Sequence, residues 1–153
     1  MHDLKPVSFF VPGEPVGKGR PRVRMLAAKP GKKAVPMLYT PAETKDYEAL
    51  IALHARSVMA GRELISGPVL MELAIRMPVA ASWSKKKTAA ALTGEVMPTK
   101  KPDADNVLKA ICDGINGIVF CDDVQVVNVS LSKRFSAKPG VTVRVVPLVG
   151  ANS

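Results

Sequence analysis

The order of apolar and polar positions divides the chain into short strands and three helices. Residues 7–11 form an apolar run closed by Pro12-Gly13, the signature of a strand that ends in a turn. Thr40, Pro41 and Glu43 form a capping-box start, and Tyr47, Leu50, Ile51, His54 and Val58 then recur at helical spacing, which predicts a helix that faces the core and stops near Gly61. Residues 69–77 alternate as a half-buried strand and end at Pro78. Residues 82–94 predict a short helix with Ser82 or Ser84 as its cap and Gly94 as its stop. The last third reads as a helix over residues 104–115, a turn at Asn116-Gly117, a short strand over 118–121, and two strands, 124–133 and 141–146, joined as a hairpin. The pattern is that of an α+β fold: a mixed sheet of about four to five strands, two to three helices and a C-terminal β-hairpin, in a single domain over residues 1–153.

Composition adds a partner class to this picture. The chain has 153 residues, of which 47% are apolar, so it can bury a core and is not a disordered basic tail. Its 22 Lys+Arg outnumber 13 Asp+Glu for a charge of +9, which points to nucleic acid first and a membrane surface second. The excess is uneven. Residues 102–153 carry five basic and five acidic side chains, so the whole +9 lies in residues 1–101. Within residues 17–39, Lys18, Arg20, Arg22, Arg24, Lys29, Lys32 and Lys33 meet no acid, and the Gly and Pro content there predicts a loop or irregular edge strand facing phosphate. Within residues 82–101, Lys85, Lys86 and Lys87 follow Trp83, and Lys100 and Lys101 stand before an acidic motif. Packing on the core is the first expectation for Trp83, with stacking on a base the alternative.

Several classes fall away. No apolar run approaches the roughly 20 residues of a membrane span, and the N-terminus lacks the basic and long apolar regions of a secretory leader. Cys112 and Cys121 are too few for a disulfide framework and fit small apolar residues in a reducing cytoplasm. With His2 and His54 the only histidines, a His/Cys zinc site is not expected, nor is a small-molecule cofactor.

The acidic motif carries the chemistry. All five acids after residue 101 are aspartates: Asp103, Asp105, Asp113, Asp122 and Asp123. Asp103 is a natural helix N-cap, and Asp105, Lys109 and Asp113 follow one another a helical turn apart. A strand running back from Gly117 would return Asp122 and Asp123 to the level of Asp103 and Asp105. Converging carboxylates call for a cation, and all-oxygen ligation favours Mg²⁺ or Mn²⁺. Read singly, the same residues are a cap, a surface charge ladder and a turn. Taken together, beside three basic clusters, they favour the metal. An EF-hand fails because Val107 and Gly114 occupy ligand positions, and a P-loop fails because Gly19 stands where Ser or Thr is required.

The segment from Lys100 to Lys133 holds an Asp-x-Asp-Asn pair, a Lys four residues after the second Asp, a helix Asp, an Asn-Gly turn and Asp-Asp-x-Gln. In these elements the chain resembles the RusA family of Holliday junction resolvases, found in bacteria and their phages. The GKGRPR, YTPAETKDYE and SWSKKKT segments resemble its phage-type members. The resemblance implies a cytoplasmic, Mg²⁺-dependent endodeoxyribonuclease that acts as a homodimer on branched DNA, four-way junctions above all. It implies that Asp103, Asp105 and Asp123 are catalytic metal ligands, that Lys109 is the catalytic lysine, and that Asp113 and Asp122 support them. Lys18, Arg20, Arg22, Arg24, Lys85, Lys86, Lys87, Lys100 and Lys101 are then the expected DNA contacts. A non-catalytic junction or single-strand binder, and a nuclease for flaps, are the alternatives.

Overall fold

The computed structural model describes residues 4–149. It is an α+β fold in which β1 (Val7–Pro12), β4 (Val69–Met77), β5 (Val126–Phe135) and β6 (Gly140–Pro147) form one mixed sheet in the order β1-β6-β4-β5. β4 is antiparallel to β6 and parallel to β5. A parallel neighbour requires a crossover, and residues 78–125 supply it, carrying α2 (Lys85–Leu92) and α3 (Ala104–Ile115). With α1 (Ala42–Met59), these are the three expected helices.

The alternation of residues 69–77 has the expected meaning. Val69, Met71, Leu73, Ile75 and Met77 are all buried, while Leu70, Glu72, Ala74 and Arg76 point to the half-open face. The buried side meets Ile51 and Ala55 of α1, Val107, Ile111 and Ile115 of α3, and the inward residues of β1 and β6. α1 and α3 approach closely at Gly114, where a Cβ would lie 2.7 Å from Ile51 Cγ2. On the other face, Glu72 pairs with Arg144 at 3.2 Å.

Four local expectations change. β5 and β6 are consecutive and joined by a short link, but they do not bond to each other as a hairpin; β4 lies between them and pairs with both. Residues 118–121 are not a strand. Ile118 and Val119 donate back to the Ile115 carbonyl, Gly117 donates to that of Phe120, and Val119 and Phe120 plug the core with no exposed surface. The α1 capping box is not made: Pro41 is the N-cap residue, without a side-chain bond, and Thr44 is turned inward to accept from the Gly19 amide at 3.0 Å. The buried face of α1 is rotated as well, to Thr44, Tyr47, Ile51, Ala52, Ala55 and Met59, leaving Val58 exposed. α2 behaves as expected: Ser84 accepts from the Lys87 amide and Gly94 ends it with φ +88°.

The basic segment 17–39 is more ordered than a loop. β2 (Arg22–Leu26) and β3 (Val35–Tyr39) pair as an antiparallel ribbon with nearly every residue exposed. Arg22, Arg24, Met37 and Tyr39 share one face, with the Arg24 guanidinium 5.6 Å from the Tyr39 ring centre; Val23, Met25, Pro36 and Leu38 share the other.

Candidate active site

The strongly amphipathic α3 presents its apolar stripe to the core and its charged positions outward. Asp103 is the N-cap residue, but its carboxylate makes no capping bond. Asp105 follows in the first turn, exposed. Asp103 lines a cleft of about 630 Å³ together with Gly17, Arg20, Glu43, Lys101 and Asn106. The Lys18 amide donates to the Asn106 carbonyl at 2.9 Å, which seats the glycine-rich strand of chain against this helix end. Lys133 near the end of β5 holds the approach to α3, donating from Nζ to the carbonyls of Lys100 and of Pro102, the latter at 2.8 Å.

Lys109 lies one turn below Asp105 and is exposed. Asp113, a further turn along, is half-buried and paired with Lys18 at 3.0 Å. Lys18 also bonds Glu48 of α1 at 2.6 Å. Its ammonium pKa is raised, chiefly by the Glu48 hydrogen bond and also by Asp113, against the effect of burial. Lys18 thus faces inward and joins α1 to α3, whereas Arg20, Arg22, Arg24, Lys85, Lys86, Lys100 and Lys101 are exposed. Lys87 is exposed too, and its ammonium sits 4.2 Å from the Trp83 ring centre.

Asp122 and Asp123 begin a 3₁₀ turn that leads into β5. Asp122 accepts from the Val124 amide at 3.3 Å. Gln125 pins the turn with its whole amide. Its Oε1 accepts from the Cys121 and Asp122 amides at 2.9 and 3.0 Å, and its Nε2 donates to the Ile65 and Gly67 carbonyls at 2.7 and 2.9 Å. The Asp123 pKa is raised, first by its hydrogen bond to Asp122, with burial and the charges of Asp122 and Asp113 adding; Lys109 opposes them.

These contacts correct the expected return path. Because residues 116–121 fold tightly against the end of α3, Asp122 and Asp123 stay beside Asp113 and Lys109. It is β5 that runs back, reaching the level of Pro102 at Lys133. Eight residues, about 12 Å of helix rise, separate Asp105 from Asp113. Among the described residues, no three acids, cysteines or histidines lie close enough together to hold a metal ion. One chain therefore does not bring Asp103, Asp105 and Asp123 to one point. What it offers at the α3 start is two carboxylates that make no hydrogen bond or ion pair among the described residues, Asp103 lining an open cleft and Asp105 exposed in the first helical turn. Such a donor set fits the partial ligation of Mg²⁺, which keeps waters and takes substrate phosphate, and does not fit a closed protein cage.

Sequence reasoning passed over two residues of this region. Gln125 stood in the Asp-Asp-x-Gln element, which was its only signal. Glu48, the partner of Lys18, stood at the end of the YTPAETKDYE segment, which was its only signal.

An α+β domain that sets unpaired aspartates beside exposed lysines and arginines is built to work on a polyanion. The chain belongs to the RusA endodeoxyribonuclease family, whose model matches residues 12–146. It is 38% identical over 141 residues to the "Uncharacterized protein YqaN" of Bacillus subtilis (strain 168), covering 91% of this chain and 94% of that protein. Membership makes it an endodeoxyribonuclease of the class that acts on Holliday junctions. No helix among the described residues is long and apolar enough to cross a membrane.

Proposed function

We propose that the protein resolves four-way DNA junctions by Mg²⁺-dependent hydrolysis of paired phosphodiesters across a homodimer, in DNA recombination and repair. The observation that carries the proposal is the unpartnered carboxylate of Asp103 in a cleft bordered by Arg20 and Lys101, with that of Asp105 exposed in the first helical turn beside it, in a chain of this family. Bound Mg²⁺, or Mn²⁺ in its place, supplies Lewis acidity and neutralises charge at the scissile phosphate. Asp103 and Asp105 hold the ion. Lys109, one turn below, places a positive charge where negative charge grows on the phosphate. The exposed cations of residues 20–33 and 85–101 hold the DNA backbone, which selects shape rather than sequence.

The open edge of β5 supports the homodimer. Among the described residues β5 pairs only with β4, which leaves its outer edge unpaired, and Val127, Val129 and Leu131 are exposed along it. Two copies joined antiparallel along this edge obey a two-fold axis. Each Asp122-Asp123 turn would then lie toward the Asp103-Asp105 end of the other copy, giving Asp123 the role of third ligand, with Asp113 and Asp122 supporting.

The test is a panel of synthetic four-way, three-way, flap and linear substrates with Mg²⁺ or EDTA. Symmetric nicking of the four-way junction with Mg²⁺ alone is expected. Binding without nicking would make the protein a non-catalytic junction binder, and preference for flaps would move it to another branched substrate.

A further inference from the structure

Residues 100–102 stand between two cavities. One is the cleft beside Asp103. The other, of about 460 Å³, is lined by Trp83, Phe135, Met77 and Met97, with Lys87 and Lys101. Lys101 and Glu14 line both, so the cavities adjoin. The second lies within the ~300–1,000 Å³ range of small-ligand sites, and its walls are aromatic rings, thioethers and ammonium groups.

We propose that this second cavity receives one unstacked nucleobase of a branched DNA, beside the cutting cleft; the proposal rests on the reading of the chain as a branched-DNA nuclease. Three observations support it. First, Trp83 is only half-buried, although it packs edge-to-face on Phe135 with ring centres 5.1 Å apart. Its expected role in packing is met, and a ring surface is left over. Second, that surface carries the Lys87 ammonium, 4.2 Å from the ring centre. An exposed cation–π contact is weaker than a base–aromatic stack, so an entering base displaces it. The freed ammonium then meets the phosphate of the same nucleotide. Third, Lys101 reaches into both cavities, so a base held in one places its neighbouring phosphate toward Asp103 in the other. A branch point is where duplex DNA offers a base that has lost its stacking neighbour, and a continuous duplex offers none without the cost of unstacking.

Trp83 is the sole tryptophan, so its fluorescence reports this cavity alone. The experiment titrates the protein in EDTA, where no strand is cut, with a synthetic four-way junction, with the same junction made abasic at each branch-point nucleotide in turn, and with a linear duplex. Expected are quenching by the intact junction, little by the duplex, and about tenfold weaker binding when one particular branch-point base is missing, the scale of a single stack. Trp83→Ala should bind intact and abasic junctions alike. Should that variant fail to fold, Met97→Trp, which fills the cavity from an exposed position, should show the same insensitivity in an electrophoretic assay. Equal binding of intact and all abasic junctions, or equal quenching by the linear duplex, would overturn the proposal. No junction binding at all would remove both this inference and the branched-DNA reading. Base-dependent binding without nicking in Mg²⁺ would remove the nuclease reading and leave the cavity assignment standing.

Discussion

Replacing Gln125 with alanine removes four hydrogen bonds at once, and the structure says which of them matter. The Cys121 and Asp122 amides that Oε1 accepts from belong to exposed residues, so water takes them over at little cost. The Ile65 and Gly67 carbonyls that Nε2 serves belong to a buried and a half-buried residue, and water reaches them poorly. At roughly 1 kcal/mol net per lost bond, and somewhat more where a buried acceptor is left bare, Gln125→Ala should cost about 2–3 kcal/mol. For a chain of this size that lowers Tm by about 4–12 °C. Urea unfolding measures the loss, and amide exchange should quicken at Cys121 and Asp122 before it does in β4. Gln125→Glu, which keeps the acceptor and sets a carboxylate against two carbonyls, should be at least as unstable at neutral pH. A loss below about 0.5 kcal/mol for Gln125→Ala, with slow exchange retained at both amides, would show that the turn stands without the clamp.

Other outcomes follow from the same contacts. Asp105→Asn should abolish nicking of a four-way junction in Mg²⁺ while junction binding in EDTA stays at or above the wild-type level; cutting near the wild-type rate would remove Asp105 from the site. Gly114→Ala should destabilise the fold by about 1–3 kcal/mol, the range for overpacking, because the added methyl meets Ile51 at 2.7 Å; a thermal melt measures it. Lys18 has a raised folded pKa, so its contribution to stability is complete below the ordinary lysine value of 10.5 and is lost as pH rises through the higher folded value; Lys18→Met should abolish that alkaline loss in denaturation curves run across this window. Burial pushes the Cys112 thiol up to about 11, so iodoacetamide at pH 8 should modify the exposed Cys121 in the native protein and reach Cys112 only on unfolding.

Much of the fold was legible because periodicity reports burial directly. Residues 69–77 and 104–115 each carry one clean period, and both elements form over those spans. What periodicity does not report is which strand lies next to which. The strands 126–135 and 140–147 look like a hairpin in sequence, yet the slot between them is filled by a strand from more than fifty residues upstream. Residues 118–121 misled for a related reason: a short apolar run marks burial, and Val119 and Phe120 are buried as a plug in a tight turn. The site inherited that error, since the return of Asp122 and Asp123 depended on an extended segment there. The aspartates stood out in the sequence as candidates, but a single chain does not gather them at one point. Their supports were not legible, because Gln125 acts on Ile65 and Gly67, and Lys18 on Glu48 and Asp113, across separations that no local pattern encodes.

β5 has Gln125 just before its first residue and Lys133 near its last, one holding the Asp122-Asp123 turn and the other the approach to Asp103. The strand is therefore a ruler. Its length, at about 3.3 Å per residue, sets how far apart the two acidic stations stand, whichever copy supplies them. Inserting or deleting one residue between Gln125 and Lys133 would change that spacing by one graduation and turn the far anchor to the opposite face of the sheet. Two graduations would restore the face but not the distance. The interval between these two side chains is thus a dimension of the enzyme, set by the sheet and independent of the chemistry at either end.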